Sequence, residues 1–277
     1  MDIKNIPLCD MHTHSQNSQD SDCPVRDMAL SYIEKGFFAF AVTDHCNMQD
    51  YERCNMPLVI ENSYKEAQRE AESFEGKIKI LKGIELGEAI WDEKAALGIL
   101  ESHKFDAVIG SVHVVRYEEY PKPYSQMIFS EIPQKKIRMF LDKYFDELLL
   151  TVKTVPCDIA AHLTCPLRYI NGKYGIGIDS RDYADKINEI RAVIIKNKIA
   201  LEVNTSGVRE NCDGFLPDEW IIESYKKAGG RLITLGSDAH VAKNAGNGFD
   251  KAMSLLKKLG FTEYHYYENR IPHAVKR

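Results

Sequence analysis

Short apolar runs rich in β-branched and aromatic residues alternate along this chain with segments whose apolar positions recur every three or four residues. The runs are Pro7–Met11, Phe37–Val42, Ile78–Ile84, Phe105–Gly110, Cys157–Ala161, Ile199–Val203 and Arg231–Leu235. Between them, Ile137, Phe140, Leu141, Tyr144, Phe145, Leu148 and Leu149 fall on one face of a 3.6-residue helix, a face suited to covering a sheet. Tyr183, Ile187, Ile190 and Ile194 repeat the pattern, and Asp218 to Ala228 runs into Gly229-Gly230, as a helix with a left-handed cap does. Val25–Lys35, Glu61–Phe74, Asp92–His103 and Asn244–Leu259 complete the alternation. Strands and helices alternating over 277 residues, without repeat, linker or low-complexity segment, predict a parallel sheet with crossover helices. An α/β barrel of about 250 residues commonly forms one unit, so a single domain is expected.

The chemistry lies just beyond each run. The strand ends lead into His12-Thr13-His14, Asp44-His45, Glu85, His113, His162, Asn204 and Asp238-Ala239-His240. In a barrel of parallel strands the C-terminal strand ends converge on one mouth, where barrel enzymes do their chemistry. Six of the nine histidines fall at such positions, whereas His103, His265 and His273 do not. A His-x-His pair at a strand end places both imidazoles on one side, because side chains alternate with period two. Asp238-x-His240 shares that spacing, and Glu85 ends an apolar strand, where a carboxylate is costly unless paired or metal-bound. One polynuclear metal site is implied.

Composition narrows the alternatives. The chain holds 36 basic and 41 acidic residues for a net charge of −5, and the basic ones are dispersed, so nucleic acid and anionic membranes are disfavoured as partners. The N-terminal segment lacks the apolar stretch of a signal peptide, and no run approaches a membrane span, which predicts a cytoplasmic protein. Seven cysteines without C-x-x-C spacing read as reduced thiols. A cysteine-dependent phosphatase needs an arginine six residues after its cysteine; Cys46 is followed by Glu52 there, with Arg53 one position late, so Cys46 reads as structural. No G-x-x-x-x-G-K-[ST] or strand-linked G-x-G-x-x-G sequence supports a nucleotide cofactor.

The ordered segments Asp10-Met-His-Thr-His14, Thr43-Asp-His45, Gly83-Ile-Glu85, Ser111-Val-His113, His162 and Gly236-Ser-Asp-Ala-His240 resemble those of the PHP (polymerase and histidinol phosphatase) family. The resemblance spans residues 10 to 240 and extends to Leu201-Glu-Val-Asn-Thr-Ser-Gly-Val-Arg209 and to Arg168-Tyr169 beyond His162. It implies a distorted (β/α)7 TIM-like barrel and three divalent ions, with zinc, iron and manganese all suited to imidazole-rich sites. Carried over motif by motif, His12, His14, Glu85 and Asp238 would hold one ion; Glu85, His113 and His162 a second; Asp20, His45 and His240 a third. Asp22 competes with Asp20 for the loop position. Three carboxylates and six neutral imidazoles leave such a site near +3, suited to a phosphate monoester. A cluster of this kind lowers the pKa of bound water from 15.7 to about 7, so no protein nucleophile is needed.

Arg168 and Arg209 follow strand-end positions where guanidinium forks clamp phosphate oxygens, although a surface ion pair is the plain alternative for each. Asp44 orients an imidazole or assists protonation of the leaving alkoxide, and Asn204 supports the site or caps a turn. The activity implied is hydrolysis of L-histidinol phosphate to L-histidinol and phosphate, in histidine biosynthesis. Action on a nucleotide, sugar phosphate or phosphotyrosine, and a metal-binding protein without catalysis, stay open as alternatives.

Overall fold

Strands paired in parallel and covered by helices on the outer face are buried on both sides, which is why their sequences are continuous apolar runs. The computed structural model describes residues 6–209 and 214–276. Its sheet is built from β1 (Cys9–Thr13), β2 (Ala39–Val42), β3 (His45–Asn47), β4 (Lys79–Gly87), β5 (Ala107–Ser111), β6 (Ile159–Ala160), β7 (Ala200–Asn204) and β8 (Ile233–Gly236), every pairing parallel. The spatial order is β1-β2-β4-β5-β6-β7-β8, and β3 prolongs the line of β2 to pair with the upper half of β4. The ring is drawn shut between β1 and the exit from β8: Asp238 N donates to His12 O at 2.8 Å and His14 N to Ala239 O at 2.9 Å. The result is the expected distorted seven-stranded barrel.

The helices are α1 (Val25–Glu34), α2 (Met56–Ser73), α3 (Glu93–Ser102), α4 (Gln134–Thr154), the single turn α5 (Cys165–Leu167), α6 (Ala184–Asn197), the single turn α7 (Ser206–Arg209), α8 (Glu219–Lys227) and α9 (Phe249–Lys258). In α4 the predicted stripe is the buried one: Ile137, Phe140, Leu141, Tyr144, Phe145 and Leu148. Two helix starts differ from expectation. α2 begins five residues before Glu61 because Pro57 stands in its first turn, where a fixed φ and a missing N–H cost nothing. α9 begins at Phe249 rather than Asn244, because Gly246 and Gly248 hold φ of 62° and 83°, which no helix continues.

The antiparallel hairpin β9 (Glu263–Glu268) and β10 (Ile271–Lys276) has no counterpart among the elements expected from the sequence. Tyr264 Oη accepts from Cys9 N at 2.9 Å and donates to Pro7 O at 2.7 Å, and Arg270 N donates to Asp106 O at 2.8 Å. Pro7, Cys9 and Asp106 lie at the starts of β1 and β5, so the hairpin covers the end of the barrel opposite the histidines. Among the described residues no helix is long and apolar enough to cross a membrane.

Closure depends on Asp10, which is fully buried. Its Oδ1 accepts from His12 N at 3.1 Å and Ser237 N at 3.0 Å, and its Oδ2 from Tyr32 Oη at 2.5 Å, so one carboxylate ties β1, β8 and α1 together. Removing it in Asp10→Ala strands three buried donors. Urea unfolding is expected to show a loss of about 3 kcal/mol, against under about 1 kcal/mol for an exposed control such as Glu93→Ala.

Candidate metal centre

β3 pairs His45 with Glu85 of β4, and the other strand ends aim at the same carboxylate. Glu85, with no exposed surface, lies 2.8 Å from His45 Nδ1, 3.0 Å from His162 Nε2, 3.2 Å from His113 Nε2, 3.4 Å from His12 Nε2 and 3.6 Å from His14 Nε2. Asp238 Oδ1 stands 3.4 Å from His14 Nε2, and Asp20 bridges the far side at 3.2 Å from His240 Nε2 and 3.6 Å from His45 Nε2. Asp20 rather than Asp22 faces the two imidazoles. All nine residues singled out as ligands therefore meet at one mouth. His103 instead pairs with Glu61, and His265 and His273 lie on the hairpin.

Hydrogen bonds on the outer nitrogens set the tautomers. His12 Nδ1 donates to Glu202 Oε1 at 2.6 Å. Ser18 Oγ donates to Asp44 Oδ1 at 2.7 Å and so accepts from His14 Nδ1 at 3.2 Å. His113 Nδ1 faces Asn47 Oδ1 at 3.3 Å. Each of these rings then presents a bare Nε2 lone pair to the oxygens of Glu85 or Asp238, acceptor against acceptor. His12 Nε2, His14 Nε2, His45 Nδ1, His240 Nε2 and Glu85 Oε2 are buried without a hydrogen-bond partner. Protonating every ring does not resolve this, because His14 stacks 4.2 Å from both His45 and His240; burial, then the charges of His240 and His45, hold it well below the usual histidine range. Divalent cations satisfy all of these atoms at once. Four overlapping groups fit, with ligand atoms mutually within 4.8 Å: His12-His14-Asp238, His12-Glu85-His162, His45-Glu85-His113 and His14-His45-His240. Burial alone would push the Glu85 carboxyl up, and only positive charge at His113, His12 and His45, from protons on the rings, outweighs it and holds the group well below the usual carboxylate range.

Backbone strain collects here. His162 and Asp238 hold positive φ of 24° and 53°, conformations that non-glycine residues keep only where the surroundings enforce them. Gly236 is required beside Asp238, because a Cβ there would run into the Glu202 carboxylate and His12 Cβ.

Arg168 opens a π-helical turn, and its Nη1 lies 2.6 Å from Ser206 Oγ and 3.7 Å from Asp238 Oδ2, while Nη2 donates to Tyr169 Oη at 2.5 Å. It forms one wall of a cavity of about 460 Å³ whose floor includes His45, His113, His162, Asp238 and His240. The side chain of Arg209 lies outside the described residues. Asp44 reaches an imidazole only through Ser18: it accepts from Ser15 N and Oγ, Ser18 Oγ and Ser63 Oγ at 2.6–2.7 Å and does not line the cavity. Asn204 does both things considered for it. Its Oδ1 caps Ser206 N at 3.0 Å, and its Nδ2 donates to Glu202 Oε2 at 3.2 Å. Cys46 is buried with its thiol pushed up to about 12 by that burial, the condition of an inert cysteine.

Sequence reasoning missed Glu202, which bonds the His12 ring and accepts from His162 N at 2.7 Å. The signal was a lone carboxylate inside the apolar strand Leu201-Glu-Val203. Glu88, an ordinary solvated acid or a cation partner on sequence grounds, is fully buried and accepts from His113 N and from Val114 N, the latter at 3.0 Å.

The PHP domain model matches residues 10–206. The chain is 30% identical over 257 residues to the "Probable histidinol-phosphatase" of Thermotoga maritima, covering 92% of this chain and 93% of that protein. It is 29% identical over 261 residues to the histidinol-phosphatase of Lactococcus lactis, with 92% of each chain covered. A crystal structure of histidinol phosphate phosphatase from Lactococcus lactis, complexed with zinc, L-histidinol and phosphate, matches with a TM-score of 0.74 over 96% of this chain and 98% of that one; at 22% identity this is a likeness of fold.

If Glu202 fixes the His12 ring for a cation, Glu202→Gln should weaken metal retention by about 10–100-fold, read as metal content after dialysis against graded chelator. Unchanged retention would assign Glu202 to strand packing alone.

Proposed function

The chain belongs to the PHP domain family, and on that premise we propose that it is a metal-dependent phosphomonoesterase that hydrolyses L-histidinol phosphate to L-histidinol and phosphate. The observation that carries this reading is the arrangement around Glu85, eight side chains grouped closely enough to share cations, with Asp20 beside two of them, opening into a cavity with an arginine on its wall. Relatives bearing the histidinol-phosphatase name along nearly their whole length supply the substrate.

His12, His14, Asp20, His45, Glu85, His113, His162, Asp238 and His240 would hold three divalent ions, zinc, iron or manganese. Such ions supply Lewis-acid neutralisation of phosphate charge and lower the pKa of water so that it attacks at neutral pH. The chain's own part is placement. Arg168, braced by Ser206 and Tyr169, offers its guanidinium beside Asp238 to the phosphate oxygens. Arg209 is proposed as its partner on the motif resemblance alone. Asp44 is a positioning residue: four donors occupy its oxygens away from the cavity, and it acts through Ser18 on the His14 ring. The packed barrel core closes the ligand sphere from below, so the nucleophile and the ester must enter from the cavity.

A metal-storage protein has no use for a guanidinium at the edge of a cavity over its ions. Arg168 in that position favours the hydrolase.

The metal-loaded protein should release phosphate from L-histidinol phosphate with clear preference over nucleotides and sugar phosphates, metal content being measured on the same sample. Chelation should abolish release and lower the melting temperature, since about 2.7 kcal/mol of stability accompanies a ligand present at 100 times its dissociation constant. His113→Ala is expected to lose at least about 100-fold in turnover, and Arg168→Ala about 10²–10³-fold, with the fold retained. Equal turnover across the panel would keep the phosphoesterase and remove the substrate; no turnover when fully loaded would remove both.

A further inference from the structure

We propose that Asp50 reads the leaving group, taking the cationic end of the substrate in exchange for Arg53; the proposal rests on the phosphatase reading above and specifies its substrate side. The cavity is lined by three carboxylates. Asp20 and Asp238 face imidazoles of the metal centre, which leaves Asp50 as the lining carboxylate with no imidazole partner among the described residues. It closes the short 3-10 turn Met48–Asp50 that follows β3, one turn beyond His45 and Asn47 and on the same wall.

A buried carboxylate requires a cation or donors. The Asp50 side chain is 12% exposed, yet its partner is the 71%-exposed Arg53, whose Nε and Nη2 both reach Oδ1, at 3.0 and 2.7 Å. Among the described residues Oδ2 has a single long contact, Gln49 Nε2 at 3.4 Å. A long, solvated side chain three residues away is a weakly held partner. An ammonium or imidazolium delivered into the cavity replaces it while keeping Asp50 neutralised, and it finds an open acceptor at Oδ2.

The position suits the ester. Phosphate is drawn to the Arg168 guanidinium, at the Asp238 side of the cavity, so the other end of the molecule points to the remaining walls, Asn47 to Arg53 and Pro121 to Gln126. Lys122 on the second wall is exposed and, like Arg53, repels a cation, which leaves Asp50 to accept one. A leaving alcohol bearing an amine and an imidazole supplies that cation; a neutral sugar alcohol does not.

Titration calorimetry on the metal-loaded protein with L-histidinol, and separately with inorganic phosphate, tests this. Asp50→Asn should weaken L-histidinol binding by about tenfold or more, and by at least about five times as much as it weakens phosphate. Arg53→Ala, a surface change with little risk to the fold, should tighten L-histidinol. Equal losses for the two ligands in Asp50→Asn, no loss for L-histidinol, no L-histidinol binding by the wild type, or weaker L-histidinol binding in Arg53→Ala would each overturn the proposal. The two readings separate cleanly. Asp50-dependent L-histidinol binding without phosphate release would remove the phosphatase and keep this site, whereas release from L-histidinol phosphate with Asp50-independent binding would do the reverse.

Discussion

A carboxylate with no exposed surface cannot carry its charge in a low-dielectric interior without compensation, and Glu85 is surrounded by five imidazole nitrogens within 3.6 Å. Those rings come from four strand ends. Each is delivered by a strand whose own sequence is apolar, so the interior of the barrel is what makes the charge costly and the mouth is what makes it usable. The barrel and the ligand cluster are therefore one problem: strand order fixes who faces Glu85, and the need to compensate Glu85 fixes what the strands must end in.

Holding six imidazoles in place requires a second set of charges behind them. Asp10 accepts from His12 N and Ser237 N, Glu202 from the His12 ring and His162 N, Glu88 from His113 N and Val114 N, and Asp44 from Ser15 N and Ser18 Oγ. Four buried carboxylates thus pin the loops that carry the ligands, largely by backbone N–H groups rather than by flexible side chains. Their presence changes the electrostatic picture drawn from nine ligands alone. Seven carboxylates rather than three gather here, so any cations held by the cluster would leave it far less positive than the nine expected ligands alone imply. Attraction of a phosphate monoester would then rest on short contacts, such as one with Arg168, rather than on a broad positive field. Burial pushes the carboxyls of Asp10 and Glu88 upward, against the hydrogen bonds each accepts.

Strand ends were legible because two independent signals coincide there, an apolar run stopping and a metal-ligand side chain starting. Eight of the residues gathered at the mouth could be read that way, and the ninth, Asp20, followed from the motif resemblance, with Asp22 as its competitor. Glu202 and Asn47 were not legible, for a reason of geometry. Their partners, the outer nitrogens of His12 and His113, are distant in sequence, so a lone carboxylate in the apolar strand Ala200–Asn204 signals that it is paired but not with what. The hairpin Glu263–Lys276 failed to register because its buried tyrosines contact strand starts rather than each other, so the partner that gives Tyr264 its place is Pro7. Helix starts slipped where Pro57 and Gly248 overrode periodicity.

The division of labour between floor and wall explains how one mouth gains selectivity. Glu85 and its imidazoles form the floor, buried and overdetermined, with His162 and Asp238 held in strained backbone, so the floor tolerates little change. The walls are single-layered: a 3-10 turn after β3, the Pro121–Gln126 segment and the turn after His162 each contribute residues that the barrel does not need in order to stand. Cation binding belongs to the part that cannot vary, whereas Arg168, the guanidinium offered to phosphate, and the residues that face the alcohol stand on the walls. A fold organised this way changes substrates by its loops while its metal chemistry stays fixed, which is why the ligand motifs identify the family and the wall residues must be tested one by one to identify the alcohol.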